Sequence, residues 1–145
     1  MNIVAAAQED YPEILAVWEA SVRATHDFLT EDNIQFFKPL ILKEYLPAVD
    51  LYCAKDETGR IHGFLGVAEQ NIEMLFLAPE SRGRGLGKLL VNFAVAELGS
   101  VRVDVNEQNP SAAGFYEHMG FTVVRRSSVD GQGQPFPLLH MELRK

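Results

Sequence analysis

The chain has 145 residues, of which 47% are hydrophobic and 23% charged, and its formal net charge is -7. One domain over 1–145 with a packed core follows from that length and composition, which exclude collagen-like, mucin-like and disordered classes. The whole negative excess lies in residues 1–72 while 73–145 balance, so no basic face marks a nucleic-acid binder.

The chain opens Met1-Asn2-Ile3-Val4 without the basic start and long apolar stretch of a signal peptide, and no apolar run reaches the ~18 residues that a bilayer span needs. A cytoplasmic protein with no membrane partner is expected. Asn2 to Ala7 reads as a strand. Asp10-Tyr11-Pro12-Glu13 has the form of a helix start, with Asp10 as N-cap and Glu13 reaching back, and Ile14, Leu15, Trp18 and Val22 follow at helical spacing. A second helical region runs from Thr30 to about Leu46, where Pro39 predicts a split into two short helices. Leu51 to Lys55, Ile61 to Glu69 and Ile72 to Leu77 then read as strands, separated by Asp56-Glu57-Thr58-Gly59 and Gln70-Asn71. Connections this short require antiparallel neighbours. A helix from about Gly87 to Leu98, a strand from Val101 to Val105, a helix from Pro110 to Gly120, and strands Phe121 to Arg125 and Leu138 to Leu143 complete a mixed α/β sheet with helices on its faces. A lone cysteine, Cys53, forms no internal disulfide, and His26, His62, His118 and His140 stand too far apart for zinc spacing, so no metal is expected.

The segment Pro79-Glu80-Ser81-Arg82-Gly83-Arg84-Gly85-Leu86-Gly87-Lys88 joins a strand to a helix through three glycines and three cations. Backbone N–H groups converging there, the helix N-terminus and the charges of Arg82, Arg84 and Lys88 suit a diphosphate. A Walker loop fails because Arg82 stands where glycine is required and Leu89 follows Lys88; the dinucleotide fingerprint fails because its last glycine falls on Lys88.

Arg82-x-x-Gly85-x-Gly87 resembles the cofactor signature of the GCN5-related N-acetyltransferase (GNAT) superfamily. Asn106 to Phe121, through Asn109, Ala112, Phe115, Tyr116, Gly120 and Phe121, is similar to that family's second motif. Within the superfamily, Ala24 to Leu29, Val105 to Asn109 and Asp130 to Leu139 resemble the bacterial YjaB-type acetyltransferases.

The resemblance implies a single-domain, mostly antiparallel sheet whose central parallel strands splay apart, with helices on both faces. It also implies acetyl-CoA as co-substrate. The pantetheine arm would add to a strand edge and meet the backbone of Leu75 and Leu77. Arg82, Gly83, Arg84, Gly85, Gly87 and Lys88 would take the diphosphate, and Asn109, Ala112, Phe115 and Tyr116 would flank the arm. Tyr116 would protonate the leaving thiolate, and Glu73 or His26 would take the acceptor's proton. Acetyl transfer to a primary amine, by direct attack in a ternary complex, is the activity expected. The acceptor would be a lysine side chain, protein lysine included, a peptide α-amine or a small amine; a lysine side chain or peptide α-amine is favoured over phosphorylated or carboxylate-rich acceptors because Asp27, Glu31, Asp32, Glu44 and Asp50 would give the cleft an acidic rim. The protein would work as a monomer or homodimer. The alternative is a non-catalytic acyl-CoA-binding sensor or interaction module, which has no use for Tyr116 or a base.

Overall fold

The architecture follows from where the chain alternates every second residue and where it repeats every three to four. A computed structural model describes residues 1–131 and 133–144; Gln132, part of the Asp130 to Leu139 resemblance, and Lys145 lie outside the described residues. Seven strands form one sheet: β1 (Asn2–Ala5), β2 (Asp50–Lys55), β3 (Ile61–Ala68), β4 (Asn71–Leu77), β5 (Arg102–Asn106), β6 (Phe121–Ser127) and β7 (Leu138–Leu143), in the order β1-β2-β3-β4-β5-β7-β6. Every neighbouring pair is antiparallel except β4 and β5. A helical crossover joins those two, as parallel strands require.

The helices are α1 (Tyr11–Thr25), α2 (Glu31–Leu40), α3 (Leu46–Ala48), α4 (Leu86–Leu98) and α5 (Pro110–His118). The start of α1 differs from the sequence expectation. Asp10 makes no side-chain cap, because its carboxylate accepts the Ala7 N–H at 2.9 Å and the Lys55 ammonium at 3.1 Å. Glu13 instead accepts the Ile61 N–H at 2.8 Å and so ties α1 to β3. Thr30 does cap α2, accepting from Asn33 N–H at 3.1 Å while Asn33 accepts from Thr30 N–H at 2.9 Å. Pro39 does not split the region. The backbone stays right-handed through Leu40 and Ile41, and a wider turn, in which the Leu46 N–H bonds Ile41 O, carries it into α3. A π turn of this kind is one way for a helix to absorb a missing donor.

Strand alternation divides the core between the two faces. Cys53, Phe64 and Met74 pack with Ile14, Trp18 and Ile41 on the α1 and α2 side, whereas Ala54, Leu65 and Val67 pack with Leu90, Val91 and Tyr116 on the α4 and α5 side. Along β4 the alternation breaks. Gly66 pairs with Met74 and the adjacent Val67 with Ile72, so Glu73 is an extra residue. Ile72 and Met74 consequently face opposite cores despite standing two apart. A bulge bends its strand and raises local twist. Here β4 pairs with β5 at Asn71↔Arg102 and Ile72↔Val103 and then leaves it. The splay is therefore present, and Glu73 is where it opens.

The β3–β4 turn sits one residue earlier than expected. Glu69 and Gln70 both have positive φ, 50° and 67°, which matches the twist of a tight hairpin, and Asn71 is already in the strand. The Gln70 carbonyl accepts from Val101 and Arg102, at 2.8 and 3.2 Å, and so fixes where β5 begins.

Candidate active site

Beyond the bulge the two parallel strands enclose a cleft of about 580 Å³. Its first wall is the edge of β4. Ala78 N–H donates to His62 O at 2.9 Å, on the β3 side. Alternation then turns the N–H groups of Phe76 and Met74 to β3 as well, leaving those of Leu75 and Leu77 directed into the splay.

At one end lies the glycine turn. Gly83 and Gly85 have φ of 76° and 79°, the left-handed region that a side chain disfavours. Gly85 caps α4, and the Leu89 N–H bonds its carbonyl at 3.0 Å, so the N–H groups of Leu86, Gly87 and Lys88 precede the first helical bond. Arg82, Gly83, Gly85, Gly87 and Lys88 line the cleft. Arg84 does not, and borders a pocket of about 110 Å³ beside His62, Ser81 and Leu89. Gly87 packs under Phe115 and Leu77, where a Cβ would stand in ordinary van der Waals contact, 3.4 Å from Phe115 Cζ and 3.6 Å from Leu77 Cδ1. Behind the turn, His62 bridges Ser81 Oγ and Asp56 Oδ2, each at 2.7 Å.

The opposite wall is α5. Asn109 caps it by accepting the Ala112 N–H at 3.3 Å, and Ala112, Phe115 and Tyr116 face the cleft. Tyr116 is 6% exposed, with its ring edge-on to Phe115 at 5.2 Å and to Phe121 at 5.7 Å. Burial pushes its phenol well above the usual tyrosine range, so it is protonated at neutral pH.

His26 closes α1 and also lines the cleft. Thr25 Oγ1 donates to Ser21 O at 2.8 Å, so at the 2.7 Å contact with His26 Nδ1 it accepts, which places the ring proton on Nδ1. The lone pair on Nε2 then meets Asn109 Nδ2 at 3.5 Å, and Asn109 is oriented to donate because its Oδ1 caps α5. Burial first, then the Arg82 charge, lower the proton affinity of His26, against a smaller opposing effect of Asp27. Glu73 lines the same cleft. Burial raises its proton affinity, the charge of Asp104 adds to this, and a hydrogen bond from Asn71 opposes it.

The cleft thus gathers every catalytic and cofactor-binding residue singled out from the sequence except Arg84. The acidic rim lies elsewhere than expected. Asp27, Glu31, Asp32, Glu44 and Asp50 do not line the cleft, and Glu31 pairs with Arg23 at 2.8 Å, which lowers its carboxyl to about 2. The lining carboxylates are Glu73, Asp104 and Asp130. Asp104 went unnoticed in the sequence because only strand order gives it neighbours, and so did the aromatic lining residues Phe28, Phe37 and Phe136. Cys53 is fully buried on β2 and outside the cleft. Among the described residues, no group of three or more His, Cys, Asp or Glu is placed to hold a metal, and no helix is long and apolar enough to cross a membrane.

A family model described as an acetyltransferase (GNAT) domain matches residues 47–123. The peptidyl-lysine N-acetyltransferase YjaB of Salmonella typhimurium is 38% identical over 141 residues, covering 97% of each chain. The solution structure of apo YjaB from Escherichia coli superposes with a TM-score of 0.89 at 38% identity, covering 97% of this chain and 95% of that one. The PaiA N-acetyltransferase of Thermoplasma acidophilum, solved in complex with coenzyme A, shares the fold at a TM-score of 0.74 and 20% identity, covering 99% and 98%.

Proposed function

We propose, starting from the fact that the chain belongs to the acetyltransferase (GNAT) family, that its acceptors are lysine side chains of peptides or proteins, attacked directly in a ternary complex. The chain is an N-acetyltransferase that uses acetyl-CoA and acetylates an amine. The observation that carries the finer reading is the splay itself, which sets an unpaired strand edge between a protonated phenol and two groups able to accept a proton.

The residues present fit the co-substrate. The N–H groups of Leu75 and Leu77 offer an extended amide chain the bonds of a missing strand, and the N–H groups ahead of Leu89, with Arg82 and Lys88, offer an anion site. Arg84 adds charge near the turn from outside the cleft. Acetyl-CoA supplies an activated acyl carbonyl and a thiol leaving group. Asn109, Ala112 and Phe115 flank the arm. Tyr116 Oη holds the proton for the leaving sulfur. Glu73 takes the proton of the amine, its basicity raised by burial and by Asp104. His26 Nε2, 3.5 Å from Asn109 Nδ2, carries a second lone pair within the cleft. Every group named comes from one chain, so the reaction requires no second copy. We place it in the cytoplasm, where acetyl-CoA and protein lysines coexist.

Acetyl-CoA offered with lysine peptides, N-terminally blocked and unblocked, tests this by mass spectrometry. Acetylation of the blocked peptides at lysine is expected. Modification confined to α-amines would overturn the lysine assignment.

A further inference from the structure

The far edge of the sheet carries a hydrogen-bonded chain that ends in the cleft. Register sets Asp104 of β5 opposite His140 of β7, and a shift between Val123 and Arg125 brings Ser127 of β6 to the same ring. His140 Nδ1 lies 2.6 Å from Asp104 Oδ1, and Nε2 lies 2.6 Å from Ser127 Oγ. With the Ser127 hydroxyl donating to Nε2, the ring proton sits on Nδ1 and donates to the carboxylate, so both donors point towards Asp104. The His140 side chain is 15% exposed and that of Asp104 38%, a held ring behind an accessible carboxylate. Asp104 lines the cleft together with Glu73, and among the described residues no lysine or arginine ion-pairs with it. Phe28 and Phe136, with ring centres 5.9 Å apart, give the same cleft an apolar wall.

We propose that Asp104, held in place by His140 and Ser127, receives the ammonium group of the acceptor before it is deprotonated. This rests on the reading that the amine enters on the Glu73 side. An alkylammonium needs an apolar path for its stem and a fixed counter-charge for its head, and a carboxylate already oriented by a hydrogen bond binds without first losing side-chain freedom. Two carboxylates in unlike surroundings divide the work. Asp104, hydrogen-bonded to His140, docks the cation; Glu73, whose proton affinity is raised, is the better proton acceptor. His140 and Ser127 are positioning residues that act through Asp104.

The test compares Asp104→Asn, His140→Ala and His140→Gln with two acceptors, butylamine, a cation at neutral pH, and hydroxylamine, which is uncharged there. Calorimetric titration with CoA checks that each variant retains its donor site. Asp104→Asn and His140→Ala should raise the KM for butylamine about tenfold, the equivalent of roughly 1.4 kcal/mol, while the KM for hydroxylamine changes far less. His140→Gln should recover most of the loss, because its amide can donate to Asp104. An unchanged butylamine KM, equal losses with both amines, or a glutamine variant as poor as the alanine variant would overturn the proposal. If alkylamines show the Asp104 dependence while lysine peptides go unmodified, the lysine assignment fails and the ammonium site stands.

Discussion

In the proposed reaction Tyr116 and Glu73 have opposite duties, and desolvation, nearly complete for the phenol and partial for the carboxylate, shifts both in the direction those duties need. Burial keeps the phenol protonated, and partial desolvation with the neighbouring Asp104 charge raises the proton affinity of Glu73. Tyr116→Phe keeps the ring that packs on Phe115 and Phe121 and deletes the proton. Its kcat should fall on the order of 100-fold with the CoA dissociation constant nearly unchanged, measured by steady-state turnover and calorimetry. The two candidate bases converge from opposite sides, Glu73 shifted up from 4.5 and His26 down from 6.5. With Glu73 as the base, the acid limb of kcat/KM should therefore lie above the ordinary glutamate range. It should vanish in Glu73→Gln and persist in His26→Asn; the reverse pattern would move the base to His26. Linkage gives a second readout. Glu73 binds its proton more tightly folded than unfolded, so it lowers stability as pH rises from the ordinary glutamate range through its raised folded value. Glu73→Gln should raise Tm at pH 7, and the gain should disappear below about pH 4.5.

At the scale of the elements, β4 behaves as two strands joined at Glu73. Before the bulge it is bonded on both sides; beyond it, to β3 alone. Amide exchange followed by NMR should resolve this residue by residue. In the free protein, Met74 and Phe76 should exchange slowly and Leu75 and Leu77 fast, and saturating CoA should slow the second pair selectively. Uniform protection of all four amides before CoA is added would mean that the splay closes in solution. The glycine turn is supported from behind by the Asp56-His62-Ser81 contacts and the Arg60–Glu80 ion pair, while its cleft side keeps N–H groups for the donor.

Over the whole molecule, the cleft carries both signs of charge, and the proposed reading puts Arg82 and Lys88 at the donor end and Glu73 and Asp104 at the acceptor side. The net charge of -7 attracts a cationic acceptor from further away, but ion pairs such as Glu31–Arg23 and Glu19–Lys38 remove part of that field. Screening acts over about 10 Å at 0.1 M salt. The apparent KM for a lysine peptide should consequently rise with ionic strength, and in Asp104→Asn it should rise less steeply. A KM that falls with added salt would show that the acceptor is not steered by these carboxylates.

Local chemistry is what one sequence carries, and local chemistry determined most strands and helix bounds, the glycine turn from Arg82 to Lys88 and the start of α5 at Pro110. Periodicity, φ preferences and capping act over a few residues, so they are legible without a partner. The resemblance of the two motifs extended that reading to the donor and to Tyr116. Tertiary structure alone decided what depends on distant pairing. Insertion of β7 between β5 and β6 brings His140 to Asp104, and α1 meets α5 where His26 touches Asn109, 83 residues away. The bulge at Glu73 is likewise invisible in the string Asn71-Ile72-Glu73-Met74, because an extra residue exists only relative to the strand opposite it. Asp10 and Pro39 misled for the same reason. Asp10 found better partners in Ala7 and Lys55 than in its own helix, and packing of Ile34, Ile41 and Leu46 held the helical path past the missing N–H of Pro39.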